Sequence, residues 1–106
     1  MIGENMNKIV IDGVEYAPVK AAGNRAVVVV NSGWIFAGDT EQIDTVVGKS
    51  IRITRALHVF KWTEIGFAGV IDSPKDKRVD LRPCDPIEVP LASVVFIVPV
   101  GEDWGL

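Results

Sequence analysis

Between Gly48 and Trp62 the chain reads GKSIRITRALHVFKW, holding four of its 11 Lys and Arg residues, its single histidine and no acid. Arg52, Arg55 and Lys61 set cations close to Phe60 and Trp62. A guanidinium fork binds carboxylate or phosphate through paired hydrogen bonds, and an aromatic face stacks on a planar base. Groups of these two kinds, side by side, suit a nucleotide or a short single strand. Arg52, Arg55, His58, Lys61 and Trp62, with Trp34 from an earlier segment, form the candidate ligand or partner surface. The same residues also admit a structural reading. In it Arg52 and Arg55 pair with acids on a neighbouring strand, while Phe60 and Trp62 supply core area.

Catalysis has little to stand on. His58 has the chemistry of a general base, but a lone histidine on a strand is more often structural or solvated. The chain has no phosphate-cradling glycine loop, no serine or cysteine elbow with a matching histidine, and no metal-spaced cluster. One cysteine and one histidine cannot close a structural zinc tetrahedron, so neither metal nor cofactor is expected. Cys84, flanked by Pro83 and Asp85-Pro86, reads as an inert small residue, and Asp85 and Glu88 as an acidic sheet edge. An enzyme is not expected.

Composition narrows the partners. At 106 residues the chain is one domain, with termini 1–7 and 101–106 read as flexible tails. A hydrophobic share of 48% against 24% charged residues supports a folded core rather than disorder. The net charge is −3 and both halves are slightly acidic, which argues against duplex nucleic acid, where affinity comes from neutralising many phosphates. The lone cysteine allows no intrachain disulfide and fits a reducing compartment. The opening MIGENMNK lacks the apolar core of a signal peptide, and no stretch approaches a membrane-spanning length. The expectation is a soluble, cytoplasmic protein.

The elements that must position these residues are mostly strands. KIVIDGVEYAPV reads as a hairpin with its turn at Asp12-Gly13, and Ala21–Asn24 as a loop. RAVVVV is a β-branched run suited to a strand covered on both faces. Asn31-Ser32-Gly33 turns the chain into WIFAGDTEQ, with Trp34 and Phe36 on one face and Ile35 and Ala37 on the other. Residues 42–47 read as a short turn or loop. From Ser50, Ile51 and Ile53 point inward and Arg52 and Thr54 outward, and Arg55-Ala56 marks a bulge or bend. TEIGFAGVI suits one or two helical turns with Thr63 as N-cap, against the cost of Gly66 and Gly69. VDLR is a short strand, PCDPIEVP an edge strand because of its prolines, SVVFIVPV a central strand and GEDWGL a polar tail.

These signals, with 10 glycines and 6 prolines, predict an all-β domain, or β with one short helix. The architecture expected is a small, strongly bent barrel or a sandwich of short antiparallel strands, with Ala26–Val30 and Val94–Val98 close together in its core. Trp34, Phe36, Phe60, Trp62, Phe67, Phe96 and Trp104 exceed what one small core easily buries. That surplus points to a homo-oligomer.

Gly33, Phe36, Ala37 and Gly38, then Arg55-Ala56 before an aromatic segment with Trp62, then Gly69-Val70, then Val89-Pro90, Ala92, Ile97 and Pro99 form a series of short motifs. Over about residues 26–99 the series resembles a group of small phage and prophage proteins forming a domain of unknown function. Relatives have a longer small-residue and helical segment after Trp62, so a pocket formed there would be altered in this chain. The resemblance implies a phage or prophage origin and the host cytoplasm, and it brings no catalytic residue. The resulting expectation is a non-catalytic phage accessory protein acting as a small oligomeric binding module. It would sequester an anionic host molecule such as a nucleotide signal of antiviral defence. The alternative is a structural or assembly component of a phage particle.

Overall fold

The computed structural model describes residues 24–106 together with two short strands, β1 (Val10–Ile11) and β2 (Val14–Glu15). These two pair antiparallel with Ile11 opposite Val14, as expected of the first hairpin. Its other residues, the start of the chain and the loop at 21–23 lie outside the described residues.

Six further strands make one antiparallel sheet: β3 (Arg25–Val30), β4 (Ile35–Thr45), β5 (Gly48–Trp62), β6 (Val79–Pro83), β7 (Ile87–Pro90) and β8 (Val94–Pro99). The order is β6-β5-β4-β3-β8, and β7 lies against the other half of β5's outer edge. A single short helix, α1 (Gly66–Asp72), and a 3-10 turn at Leu91–Ser93 complete the described chain. The fold is thus mainly β with one short helix. β7 and β8 follow one another through the 3-10 turn yet do not pair, so the sheet bends round without closing.

Strand alternation explains why there are two cores. Side chains leave a strand on opposite faces in turn. Val28, Val30, Phe36, Ile51, Ile53, Ala56 and Val89 therefore meet on one face, while Val27, Ala37, Val59, Val70 and Trp104 meet on the other. The fully buried Val27, Val28, Ile53 and Val70 each contribute about 1.5–3 kcal/mol by leaving water. α1 covers the second face, with Phe67, Val70 and Ile71 at helical spacing turned toward it.

The bulge at Arg55-Ala56 is present. Ala37 pairs with Leu57 but Asp39 with Thr54, so Gly38 faces both Arg55 and Ala56. Arg55 takes a φ of 48°, a left-handed conformation uncommon outside glycine. At the same point β5 exchanges partners from β6 to β7. The connecting segment satisfies the bulge: Cys84 N donates to Ala56 O, and Ala56 N donates to Asp85 Oδ1.

Four expectations are corrected. Residues 42–45 are strand, not loop: β4 runs to Thr45, and only Val46-Val47 turn before Gly48 at φ 107°. Cross-strand pairing from Gln42–Ile51 to Thr45–Gly48 outweighs the weak local propensity. Thr63 does not cap the helix. Left-handed residues Glu64 and Gly66 redirect the chain, and α1 starts after Ile65 without a side-chain cap. The apolar run at Val94–Pro99 pairs with Ala26–Val30, as expected, but among the described residues it ends the sheet instead of lying inside it. The closing segment is not a free tail. Trp104 is buried, its indole donates to Ile71 O at 2.8 Å, and its carbonyl accepts from Nε and Nη2 of the wholly buried Arg25.

Candidate ligand-binding face

Register assembles a row of rings from β4 and β5 and sets a β6 guanidinium beside it. Phe36 on β4 sits opposite His58 on β5, and His58 opposite Arg82 on β6. Trp34, just before β4, lies on the same face, its centroid 6.1 Å from Phe36 and its plane parallel to within 2°. His58 sits 4.9 Å from Trp34 and 5.3 Å from Phe36, with Phe60 edge-on at 5.7 Å. The Arg82 guanidinium covers Phe60 at 3.7 Å, a close cation–π contact.

The Trp34 and Phe60 rings are open to solvent, while Phe36 is buried in the first core. Trp34 is 52% exposed and Phe60 45%. Trp34 also forms the wall between two shallow grooves. One, of about 240 Å³, runs along Ser32, Gly33, His58 and Phe60. The other, of about 360 Å³, lies on its far side and is lined by Val30, Phe36, Ile87, Val89 and Pro90.

Charge on this face comes from β5 and β6. A second bulge at Phe60 reverses the alternation of β5, placing Lys61 opposite Asp80 and turning Trp62 to the other side opposite Val79. Arg82 Nη2 holds Asp80 Oδ2 at 3.0 Å, and that bond is the chief reason the Asp80 carboxyl stays below its usual range. Two cations, Arg82 and Lys61, face one anion, Asp80, so a positive charge is left beside the rings.

The basic strip of the sequence is therefore divided. Trp34, His58 and Lys61 come together. Trp62 packs on α1 against Phe67 at 6.2 Å. Arg52 points away from the ring row and bonds Glu88 on β7 at 3.0 Å. Arg55 bonds Asp39 Oδ2 at 2.7 Å and the carbonyl of Glu102, also at 2.7 Å. Phe36 and Arg82 join the face without having been singled out for it. The alternation in VDLR puts Asp80 and Arg82 on one side, but the register that sets Arg82 over Phe60 is not a local property of the sequence.

No family model, curated protein or solved structure matches the chain.

Other reactive groups are quiet. Burial, with the Asp85 carboxylate beside it, pushes the Cys84 thiol above its ordinary range and so keeps it protonated near neutrality. Among the described residues, no three His, Cys, Asp or Glu side chains gather as a metal site. No helix among them is long and apolar enough to cross a membrane.

Proposed function

We propose that the chain is a non-catalytic binding module that holds a planar anionic ligand, a nucleotide above all, on the Trp34–His58–Phe60–Arg82 face. One observation carries this reading: a half-exposed tryptophan and phenylalanine flank His58, with cations at the Phe60 end. An exposed ring row stacks on a base, and Arg82 and Lys61 attract its phosphate. The assignment to a phage accessory protein rests on the sequence resemblance, and sequestration of a host nucleotide signal is the role that would join the two.

The test is a titration of nucleoside mono- and diphosphates and cyclic dinucleotides, followed by tryptophan fluorescence and calorimetry. Stacking contributes about 1–3 kcal/mol per base, so Trp34→Leu should weaken binding by about 5- to 150-fold. Arg82→Ala should weaken it too and flatten its salt dependence. A fold-competent Trp34→Leu that binds as tightly as the parent defeats the proposal.

A second reading, a component of a phage particle, draws on a different observation. Val46 and Val47 stand exposed at the tip of the long β4–β5 hairpin, as a contact between subunits would need. Particles or tubes growing with concentration, without nucleotide binding, would favour it.

A further inference from the structure

We propose that two copies of this chain join along β8, antiparallel about a twofold axis at Ile97, so that one sheet runs through both. The inference concerns a different surface from the ring face and holds whether or not that face binds a nucleotide.

β8 ends the sheet, and among the described residues no strand pairs with its outer side. The bonds from Val100 N to Arg25 O and from Asn31 N to Ser93 O set the phase of its ladder with β3. Val98 and Phe96 then direct their main-chain groups to β3, and Ile97 directs its own outward. Val95, Phe96 and Ile97 are 56%, 47% and 42% exposed. No residue from Val94 to Val100 is charged. Sheet edges that stay single are usually blunted by lysine, inward charge or proline. Here only Pro99 and the register shift near Val30 do so, at opposite ends of the strand. With Ile97 opposite its own copy, the two isoleucines exchange both main-chain bonds. Pro99, which lacks an N–H, can only accept, so the ladder forgoes its donor bond at each end.

Charge selects a second copy in this orientation. Past β8 the chain continues into Glu102 and Asp103, whereas the segment before it, Leu91–Ser93, is uncharged. Antiparallel pairing sets the acidic end of one copy beside the neutral end of the other, and parallel pairing would oppose acid to acid. Area sets the strength. At these exposures the three side chains offer on the order of 250 Å² per copy, against about 800 Å² per partner in a stable complex. The association is therefore weak and reversible.

Sedimentation velocity of the full chain, from low micromolar to near-millimolar concentration, tests this. The expected result is a rise from the one-chain toward the two-chain value. Val95→Lys and Ile97→Lys, each checked for an unchanged circular dichroism spectrum, should hold the protein at one chain throughout, whereas Trp34→Leu should leave the rise intact. A parent protein that stays a single chain at every concentration overturns the proposal, and the edge then belongs to the N-terminal residues or to another protein's strand. A dimer that persists in a folded lysine variant overturns it equally, because the contact then lies elsewhere.

Discussion

Arg25 is wholly buried, and three elements make that tolerable. Trp104 O takes two of its donors, Asp39 Oδ1 accepts from Nη1 at 3.2 Å, and Arg55 O lies within reach of the same nitrogen. Asp39 is the counter-charge, shared with Arg55 across the bulge. Chiefly through the Arg55 hydrogen bond, and then Arg25, its carboxyl is held below the usual range despite partial burial. Removing Asp39 would leave a buried guanidinium without an anion, so Asp39→Ala should cost about 3–5 kcal/mol in a denaturant titration. Arg55→Ala removes an exposed partner and leaves Arg25 paired. It should lower the melting temperature less than Asp39→Ala and leave ligand affinity unchanged, the outcome that assigns Arg55 to the scaffold. The sign with pH follows from the direction of the shift. A lowered folded pKa stabilises the protein above the ordinary aspartate value of about 3.9, and that contribution disappears as pH falls through the folded value. Denaturant midpoints measured down the acid range should fall for the parent and fall less steeply for Asp39→Asn. Equal slopes would remove Asp39 from the account.

At the scale of elements, the bulge in β5 depends on a glycine across from it. A Cβ on Gly38 would meet Ile53 Cγ2 at 2.5 Å and the Thr54 carbonyl oxygen at 2.6 Å. A shift of the isoleucine side chain relieves the first contact, but the carbonyl belongs to the β5 backbone and cannot move alone. Gly38→Ala should therefore cost about 1–3 kcal/mol, the scale of overpacking, whereas Gly101→Ala, in open space, should be nearly neutral. Paired urea titrations check the contrast. The bulge was legible in the sequence because the clean alternation of Ile51 and Ile53 breaks at Arg55-Ala56. Pairing of the two apolar runs was legible for a related reason, since each needs a partner. What those runs do not encode is order in the sheet: an uncharged edge and a covered centre have the same composition, so β8 reads as central. Register is equally hidden. Trp34, Phe60 and Arg82 lie far apart in the chain, and only the β4–β5–β6 ladders align them.

For the molecule as a whole, the question is whether two cores on two faces behave as one. Val27 and Val28 are adjacent on β3 yet belong to different clusters, and Ile53 and Val59 divide β5 in the same way. Neither face can loosen without disturbing strands that the other requires. The C-terminal segment adds a second tie, because Trp104 fills the face under α1 while its carbonyl holds Arg25 at the start of β3. GEDWGL hides this in the sequence, since one ring among polar neighbours carries no periodicity. Trp104→Ala should remove about 3–5 kcal/mol, and Val89→Ala on the opposite face should remove less, in keeping with the smaller volume deleted. Both variants should still unfold in one step, with far-ultraviolet circular dichroism and tryptophan fluorescence giving the same midpoint. If Trp104→Ala instead separates the two signals, with fluorescence lost before the sheet, the faces fold independently and β3 does not couple them.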